Sequence, residues 1–370
     1  NYISEYIFTH GFQLNQLKLQ KEIYNDIRVR FGLKSMMAQS AIRSTIARYK
    51  TVKTQLKQNP YRFQDKNTKK WYRVSRNLEW LEKPINFARP QVDLVRNRDW
   101  SKLANGKLSI NTLGGRIFAT PICSDNFEKY FSSDWKLGGA KLIEHGGNWY
   151  LHISATKLIG VVSTEQIAHV VGIDRGIRFH AVCYDEQGKT TFFSGSKART
   201  KRNKFAKVRA ELQSKGTKSA KRVLKRISGR ENRWMTDVNH CLSKTLVRKY
   251  GKNTLFVLED LTGVTFDKHK LKGSNESRYE KRSWAFYQLE QFLTYKANLN
   301  HSAVLKVPAQ YTSQRCPKCG YVDKKNRNHK SHIFRCKCGY CSNDDRIGAM
   351  NIQQLGVRYV LGEENPKLTA

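Results

Sequence analysis

Ile167-Ala168-His169-Val170-Val171-Gly172-Ile173-Asp174 is an apolar run that ends on a carboxylate, and the rest of the chain is read outward from it. Short and rich in β-branched residues, it reads as a buried strand. Two further runs follow closely: Arg178-Phe179-His180-Ala181-Val182-Cys183-Tyr184 and, after the turn Asp185-Glu186-Gln187-Gly188, Thr190-Thr191-Phe192-Phe193. A helix containing His240, Leu242 and Leu246 then leads to a second buried strand, Thr254-Leu255-Phe256-Val257-Leu258-Glu259-Asp260. Three antiparallel strands, then helix, then strand is the order of an RNase H-like α/β domain.

Two of these strands end in acids, Asp174 and Glu259. A charge at such a place costs several kcal/mol of desolvation, roughly, unless it is paired or binds a metal. Taken singly, each acid is more often a turn or cap residue. A third candidate, Asp345, opens a short helix in Ser342-Asn343-Asp344-Asp345-Arg346-Ile347-Gly348-Ala349-Met350-Asn351-Ile352, whose small residues Gly348 and Ala349 suit close packing on a sheet. By position, both Asp344 and Asp345 are also eligible as its N-cap. Carboxylates from two strand ends and a helix start can hold two Mg²⁺ ions about 3.5–4 Å apart, which activate water and stabilise the leaving 3′-oxygen of a phosphodiester. Asp174, Glu259 and Asp345 are therefore the candidate catalytic and Mg²⁺-binding residues. Asn239 and His240 stay outside that set.

Between the second and third acids lies Thr312-Ser313-Gln314-Arg315-Cys316-Pro317-Lys318-Cys319-Gly320, and then, with sixteen residues between Cys319 and Cys336, Cys336-Lys337-Cys338-Gly339-Tyr340-Cys341. Five of the eight cysteines crowd this segment, while Cys123, Cys183 and Cys241 lie singly. Clustered thiols in a basic, non-secreted chain point to metal rather than disulfides. Four thiolates make a closed structural Zn²⁺ site with no open position for catalysis. The ligands expected are Cys316, Cys319, Cys336 and Cys338, because Gly339 after Cys338 mirrors Gly320 after Cys319. Cys341 is the substitute, and a redox role for the thiols is the minor alternative.

The 370 residues carry 68 Lys and Arg against 30 Asp and Glu, a formal charge of +38, which is too basic for an ordinary metabolic enzyme. With 39% hydrophobic residues the chain can still bury a core, so it does not read as a disordered basic tail. The natural partner is a polyanion, foremost nucleic acid, and 11% aromatics supply faces on which unpaired bases stack. Residues 197–230 hold fourteen Lys or Arg against the single acid Glu211. Lys201, Arg202, Lys204, Lys207 and Arg209 are the candidate nucleic-acid contacts there, against the plain alternative of a solvated helix face. No apolar run approaches the ~18 residues of a membrane span. Asn1-Tyr2-Ile3-Ser4 is neither a basic leader nor a start methionine, and reads as the edge of a longer chain. A cytoplasmic, nucleoid-associated protein is expected.

Upstream, apolar residues recur at helical spacing through residues 11–58: Leu14, Leu17, Tyr24, Ile27 and Phe31 before Gly32, then Met37, Ala41, Ile42, Ile46 and Tyr49. They predict two helices meeting at a glycine break. Residues 85–157 change to short β-type runs, among them Arg116-Ile117-Phe118-Ala119-Thr120, with Gly146-Gly147 marking a hairpin. A small barrel or sandwich is expected.

Val171-Gly172-Ile173-Asp174-Arg175-Gly176, Leu258-Glu259-Asp260-Leu261, Tyr311-Thr312-Ser313 with its knuckle, and Cys338-Gly339-Tyr340 running into Asp345, Gly348-Ala349 and Asn351-Ile352 together resemble TnpB. TnpB is the transposon-encoded, RNA-guided nuclease related to the small type V CRISPR effectors. Trp284-Ala285-Phe286-Tyr287-Gln288-Leu289 is similar to that family too. The resemblance implies a helical recognition region (1–84, shortened at its start), a β-barrel wedge region (85–165), and a RuvC nuclease domain (166–310 and 343–370) with an inserted zinc ribbon (311–342). It makes Asp174, Glu259 and Asp345 the RuvC acids. The partners implied are a transposon-derived noncoding guide RNA and target double-stranded DNA, with a homodimer as an option and no membrane. The basic stretch would then line a channel for the RNA–DNA heteroduplex.

Two other functions compete. A nuclease-inactive, RNA-guided DNA-binding protein needs the same channel but not the acids. A zinc-ribbon RNA-binding protein without a guide has no reason to place carboxylates at two buried strand ends.

Overall fold

The computed structural model describes residues 1–123, 125–262, 285–328 and 331–369, so Trp284 of the resemblance lies outside the described residues. The chain divides into two compact units, Asn1–Leu158 and Ile159–Ala370.

The first unit opens with three helices: α1 (Tyr2–Thr9), α2 (Gln16–Phe31) and α3 (Ser35–Gln58). The glycine break is where the sequence predicts it, with Gly32 closing α2 in the left-handed region at φ 61°. Helix α1 lies ahead of the apolar periodicity that marks α2 and α3. The buried stripe of α2 is Leu19, Ile23 and Ile27, spaced four apart, whereas Leu17 is 71% exposed. Two residues before Leu19, Leu17 is carried about 200° round the helix to its solvent side. Next comes an unexpected hairpin, β1 (Tyr61–Gln64) and β2 (Trp71–Val74), inside the stretch read as helical.

The expected β region folds as two antiparallel sheets about one core rather than as one closed barrel among the described residues. One contains β3 (Gln91–Leu94), β7 (Lys136–His145) and β8 (Asn148–Thr156). The other contains β4 (Trp100–Lys102), β5 (Leu108–Thr112) and β6 (Gly115–Ala119). Leu94, Leu137 and Ala140 of the first meet Trp100, Leu108 and Ile110 of the second. The Gly146-Gly147 hairpin joins β7 to β8, both glycines at positive φ, as a two-residue turn with primed geometry needs.

The second unit is built on a five-stranded sheet. Its strands are β9 (His169–Asp174), β10 (Phe179–Tyr184), β11 (Thr190–Ser194), β12 (Thr254–Asp260) and β13 (Ala303–Pro308), in the order β11-β10-β9-β12-β13. The first three strands are antiparallel, while β9, β12 and β13 run parallel. Helices α4 (Ser196–Lys215), α5 (Lys218–Ile227) and α6 (Arg230–Tyr250) connect β11 to β12, α7 (Phe286–Leu299) precedes β13, and α8 (Asp344–Val360) follows the cysteine segment.

Alternation along the strands explains their continuous apolar runs. Val171, Ile173, Phe256 and Leu258 pack under Leu242 and Leu246 of α6 and Leu289 and Leu293 of α7. Their neighbours Val170, Leu255 and Val257 face the other way, onto Ile352 and Leu355 of α8. Each fully buried Leu or Ile contributes roughly 1.5–3 kcal/mol, so the sheet is fixed between two layers of helix. On the α8 side the approach is close enough to require glycine. A Cβ on Gly172 would lie 2.2 Å from the Ala349 carbonyl oxygen, and one on Gly356 would lie 2.3 Å from Val257 Cγ2. No helix among the described residues is long and apolar enough to cross a membrane.

Candidate active site and cysteine cluster

Position along the strands brings the acids together. Ile173 and Leu258 are partners in the parallel register of β9 and β12, so Asp174 and Glu259 come next in line on neighbouring strands. Being one residue beyond the face packed under α6 and α7, both are directed to the opposite face, where α8 lies. Asp345 stands in the first turn of α8, one turn before Gly348. A Cβ at Gly348 would meet Asp174 Oδ2 at 2.5 Å, so this glycine is what lets the helix start sit against the strand end.

The capping question is answered by Asn343. Its side-chain oxygen accepts from the backbone N–H groups of Asp345 (3.1 Å) and Arg346 (3.1 Å). Asp344 is fully buried and its carboxylate receives Arg327 Nε at 2.8 Å, which makes it structural. Neither aspartate is the cap, and Asp345 Oδ2 is buried without a hydrogen-bond partner.

Electrostatics sets the three acids apart from the other carboxylates. Burial, then the charges of Glu259 and Asp345, pushes Asp174 well above the usual carboxylate range. Burial also raises Glu259, against the Thr312 hydroxyl and the nearby Arg175 charge, which favour its ionised form. Asp345 is raised by burial and then by Asp344. Such a set, costly to keep charged together, marks a functional site more often than a structural one.

Supporting contacts hold Glu259. The Thr312 hydroxyl donates to Glu259 Oε1, while Asn351 Nδ2 ties the Thr312 carbonyl (2.7 Å) and the Arg315 carbonyl (2.8 Å) to α8. Buried Arg175 donates to the Glu259 backbone carbonyl (2.6 Å) and pairs with Glu290 (3.0 Å). Thr312 and Arg175 lie inside motifs legible in the sequence, whereas Arg327 does not. One arginine among 68 cations gives no signal of its own.

The cysteines make a tighter group. Cys316, Cys319, Cys336 and Cys338 offer sulfurs that all lie within 4.8 Å of one another, and Cys341 is outside the set. Cys316 to Cys338 is 3.7 Å and Cys319 to Cys336 is 3.5 Å, far beyond a disulfide bond. Two matched turns present them. The backbone carbonyls of Cys316 and Cys336 each accept from a glycine N–H, Gly320 (2.9 Å) and Gly339 (3.0 Å), both glycines at positive φ. Burial pushes the metal-free Cys336 thiol up to about 12, while the Tyr321 N–H draws Cys319 down to about 7. Four soft donors in this arrangement, two of them buried, fit a closed metal site. His332, Asp344 and Asp345 also bring ligand atoms within 4.8 Å of one another, whereas Asp174, Glu259 and Asp345 do not form so tight a group among the described residues.

Of the five basic residues expected to contact nucleic acid, all on α4, Arg202 and Arg209 bind the carboxylate of buried Glu231. Lys201 stands over the Trp234 ring at 4.4 Å, and Lys204 and Lys207 are exposed. Asn239 donates to Gln288 Oε1 (2.9 Å) and the Ala285 carbonyl (3.2 Å), tying α6 to the start of α7.

The Cas12f1-like TNB domain family matches residues 286–352, and a family described as probable transposase matches residues 156–263. A TnpB-like protein of Methanocaldococcus jannaschii is 29% identical over 266 residues, covering 68% of this chain and 91% of that protein. The chain is a homologue of the TnpB and Cas12f proteins. The Cas12f1 endodeoxyribonuclease of Syntrophomonas palmitatica is 26% identical over 232 residues, covering 58% of this chain and 44% of that protein. A putative RNA-guided DNA endonuclease of Escherichia coli is 28% identical over 229 residues, covering 57% of this chain and 54% of that protein. The fold is shared with Cas12f1 in a complex with sgRNA and target DNA, at a TM-score of 0.53 and 15% identity, over 95% of this chain and 78% of that one. The two family matches cover every residue of the two clusters: Asp174 and Glu259 in one, the four cysteines and Asp345 in the other.

Proposed function

We propose that this chain is the RNA-guided DNA endonuclease of a transposable element, a hydrolase that binds a noncoding guide RNA and cuts complementary double-stranded DNA. The observation that carries the proposal is the convergence of Asp174, Glu259 and Asp345 from two strand ends and a helix start, on the α8 side of a sheet ordered β11-β10-β9-β12-β13. Under this reading the second unit is an RNase H-like RuvC domain, residues 166–310 and 343–370, with a zinc ribbon at 311–342. Residues 1–84 and 85–165 are then the recognition and wedge regions.

The three carboxylates would hold two Mg²⁺ ions. Bound Mg²⁺ supplies activation of water and neutralisation of the leaving 3′-oxygen. The protein's part is to hold three oxygen donors in place. Thr312 and Arg175 fix Glu259 and its backbone, and the Asn343 cap orients the helix start that presents Asp345. Cys316, Cys319, Cys336 and Cys338 would hold structural Zn²⁺, and Lys201, Lys204 and Lys207 would meet nucleic-acid backbone. A nuclease-inactive binding protein would have no need of the unbonded, buried Asp345 oxygen.

The test is to purify the chain with its RNA and present DNA matching the RNA's guide segment. Cleavage should require Mg²⁺. Asp174→Ala and Glu259→Ala should each slow it by roughly a thousandfold or more, with the bound RNA retained. Undiminished cleavage in either variant rejects the site, and the absence of bound RNA rejects guided targeting.

A further inference from the structure

Residues 57–80 carry a surface that neither the acids nor the cysteines use. All eight strand positions of the β1–β2 hairpin are exposed, so neither of its faces is packed against a core. Two-stranded ribbons are marginal alone in water, and this one is held by polar clamps at its ends. At the tip, the Asp65 carboxylate accepts from the backbone N–H groups of Asn67 (2.9 Å) and Thr68 (2.7 Å), and Gln64 Nε2 donates to the Lys69 carbonyl (2.8 Å). At the base, Arg76 Nε donates to the Asn59 carbonyl (2.8 Å). These bonds fix the shape and leave both faces open.

The register puts Tyr61, Phe63, Tyr72 and Val74 on one face and Arg62, Gln64, Trp71 and Arg73 on the other. On the first face four rings follow in succession. Trp80 meets Tyr61 at 5.6 Å between centroids, Tyr61 meets Phe63 at 6.1 Å and 25°, and Phe63 meets Tyr72 at 5.6 Å and 24°. On the second face Arg62 lies directly opposite Arg73, a like-charge pair that weakens the ladder by itself. Residues 57–76 contain seven Lys or Arg and one acid, Asp65, whose carboxylate is occupied by the turn. Cations without a local counter-charge, interleaved with near-parallel exposed rings, are what a strand of unpaired nucleotides needs: ring faces for bases and cations for phosphates.

We propose that this hairpin is a stacking platform for an unpaired segment of the RNA that the protein carries. The choice of RNA rests on the function proposed above. An exposed aromatic face of this size calls for a partner that stays bound, and in that function the guide RNA is resident while target DNA is transient. A protein partner would have to bring its own acids to Arg62 and Arg73.

The test has two arms. In the RNA-loaded complex, 4-thiouridine placed in the unpaired parts of the RNA should photocrosslink to peptides within residues 61–74. Crosslinks there from 4-thiothymidine in the target DNA, with none from the RNA, overturn the assignment. In the second arm the full chain freed of RNA is titrated with oligouridine. Phe63→Ala and Tyr72→Ala should each weaken binding about tenfold and leave duplex RNA binding unchanged, while Phe63→Trp keeps wild-type affinity. Unchanged oligouridine affinity, an equal loss for duplex RNA, or loss of self-association in place of RNA binding each refutes the platform. If no RNA accompanies the purified protein, the guided function fails, yet oligouridine still decides whether the hairpin holds unpaired bases.

Discussion

The cysteine cluster and the acid cluster lie within one unit, joined by Thr312 and α8, and they are built in opposite ways. The four sulfurs come from two short turns of one segment, and all lie within 4.8 Å of one another. The three carboxylates come from places 85 and 86 residues apart in the chain, do not draw together as tightly, and leave one buried oxygen without a partner. A closed donor set holds an ion for the sake of the fold. A looser set, whose members are all raised in pKa by burial and of which Asp174 is raised further by the charges of Glu259 and Asp345, is under tension until something positive arrives.

The largest effect expected from breaking this contrast is in the closed cluster. Cys338→Ser should remove one of the four ligands and, with structural Zn²⁺ worth on the order of 10 kcal/mol of folding energy in small zinc domains, abolish stoichiometric zinc and unfold the ribbon. Cys341→Ser, outside the group, should keep zinc at one per chain by elemental analysis. The reverse outcome would put Cys341 in the site.

The same contrast explains what was legible beforehand. Both knuckles could be read because each is a few residues long and glycine at the positive-φ position follows its second cysteine, as Gly320 and Gly339 do. Strand ends at Asp174 and Glu259 could be read because two-faced burial writes itself as an apolar run. Other features had no local trace. The cap at Asn343 sat beside two aspartates equally eligible by position, and only the hydrogen bonds to Asp345 and Arg346 separate them. Arg202 and Arg209 looked like free cations because their partner, Glu231, is a helix away. The β1–β2 hairpin was hidden because it has no packed face, and periodicity reports burial.

A smaller effect should follow from loosening the link between the clusters. Thr312→Val removes the hydroxyl that donates to Glu259 Oε1 while keeping the shape of the side chain. Supporting hydrogen bonds of this kind are worth roughly 10–100-fold in metal affinity. The Mg²⁺ concentration giving half-maximal cleavage should rise by about that much, with zinc content unchanged. A simultaneous loss of zinc would mean that Thr312 serves the ribbon rather than the acid.

The smallest effect is on stability, and its sign separates the two clusters most clearly. Asp174 binds its proton more tightly folded than unfolded, chiefly through burial and then through the charges of Glu259 and Asp345. Without Mg²⁺, the stability tied to that proton is complete below the unfolded pKa, near 4, and is lost as pH rises through the higher folded value. At neutral pH the ionised carboxylate is therefore a cost to the folded chain. Asp174→Asn, of nearly equal shape, should relieve it and raise stability in Mg²⁺-free, zinc-replete buffer by about 1 kcal/mol. The gain should shrink as pH falls towards 4 and vanish below it, where the wild-type group is neutral in both states. Thermal melts of the two proteins across that range provide the measurement. A destabilised Asp174→Asn at neutral pH would show that Asp174 is already balanced by a permanent cation, and that its place at the strand end is structural. A stabilised but inactive variant would show that the fold carries this carboxylate at a cost for the sake of chemistry, whereas the four clustered cysteines serve the fold itself.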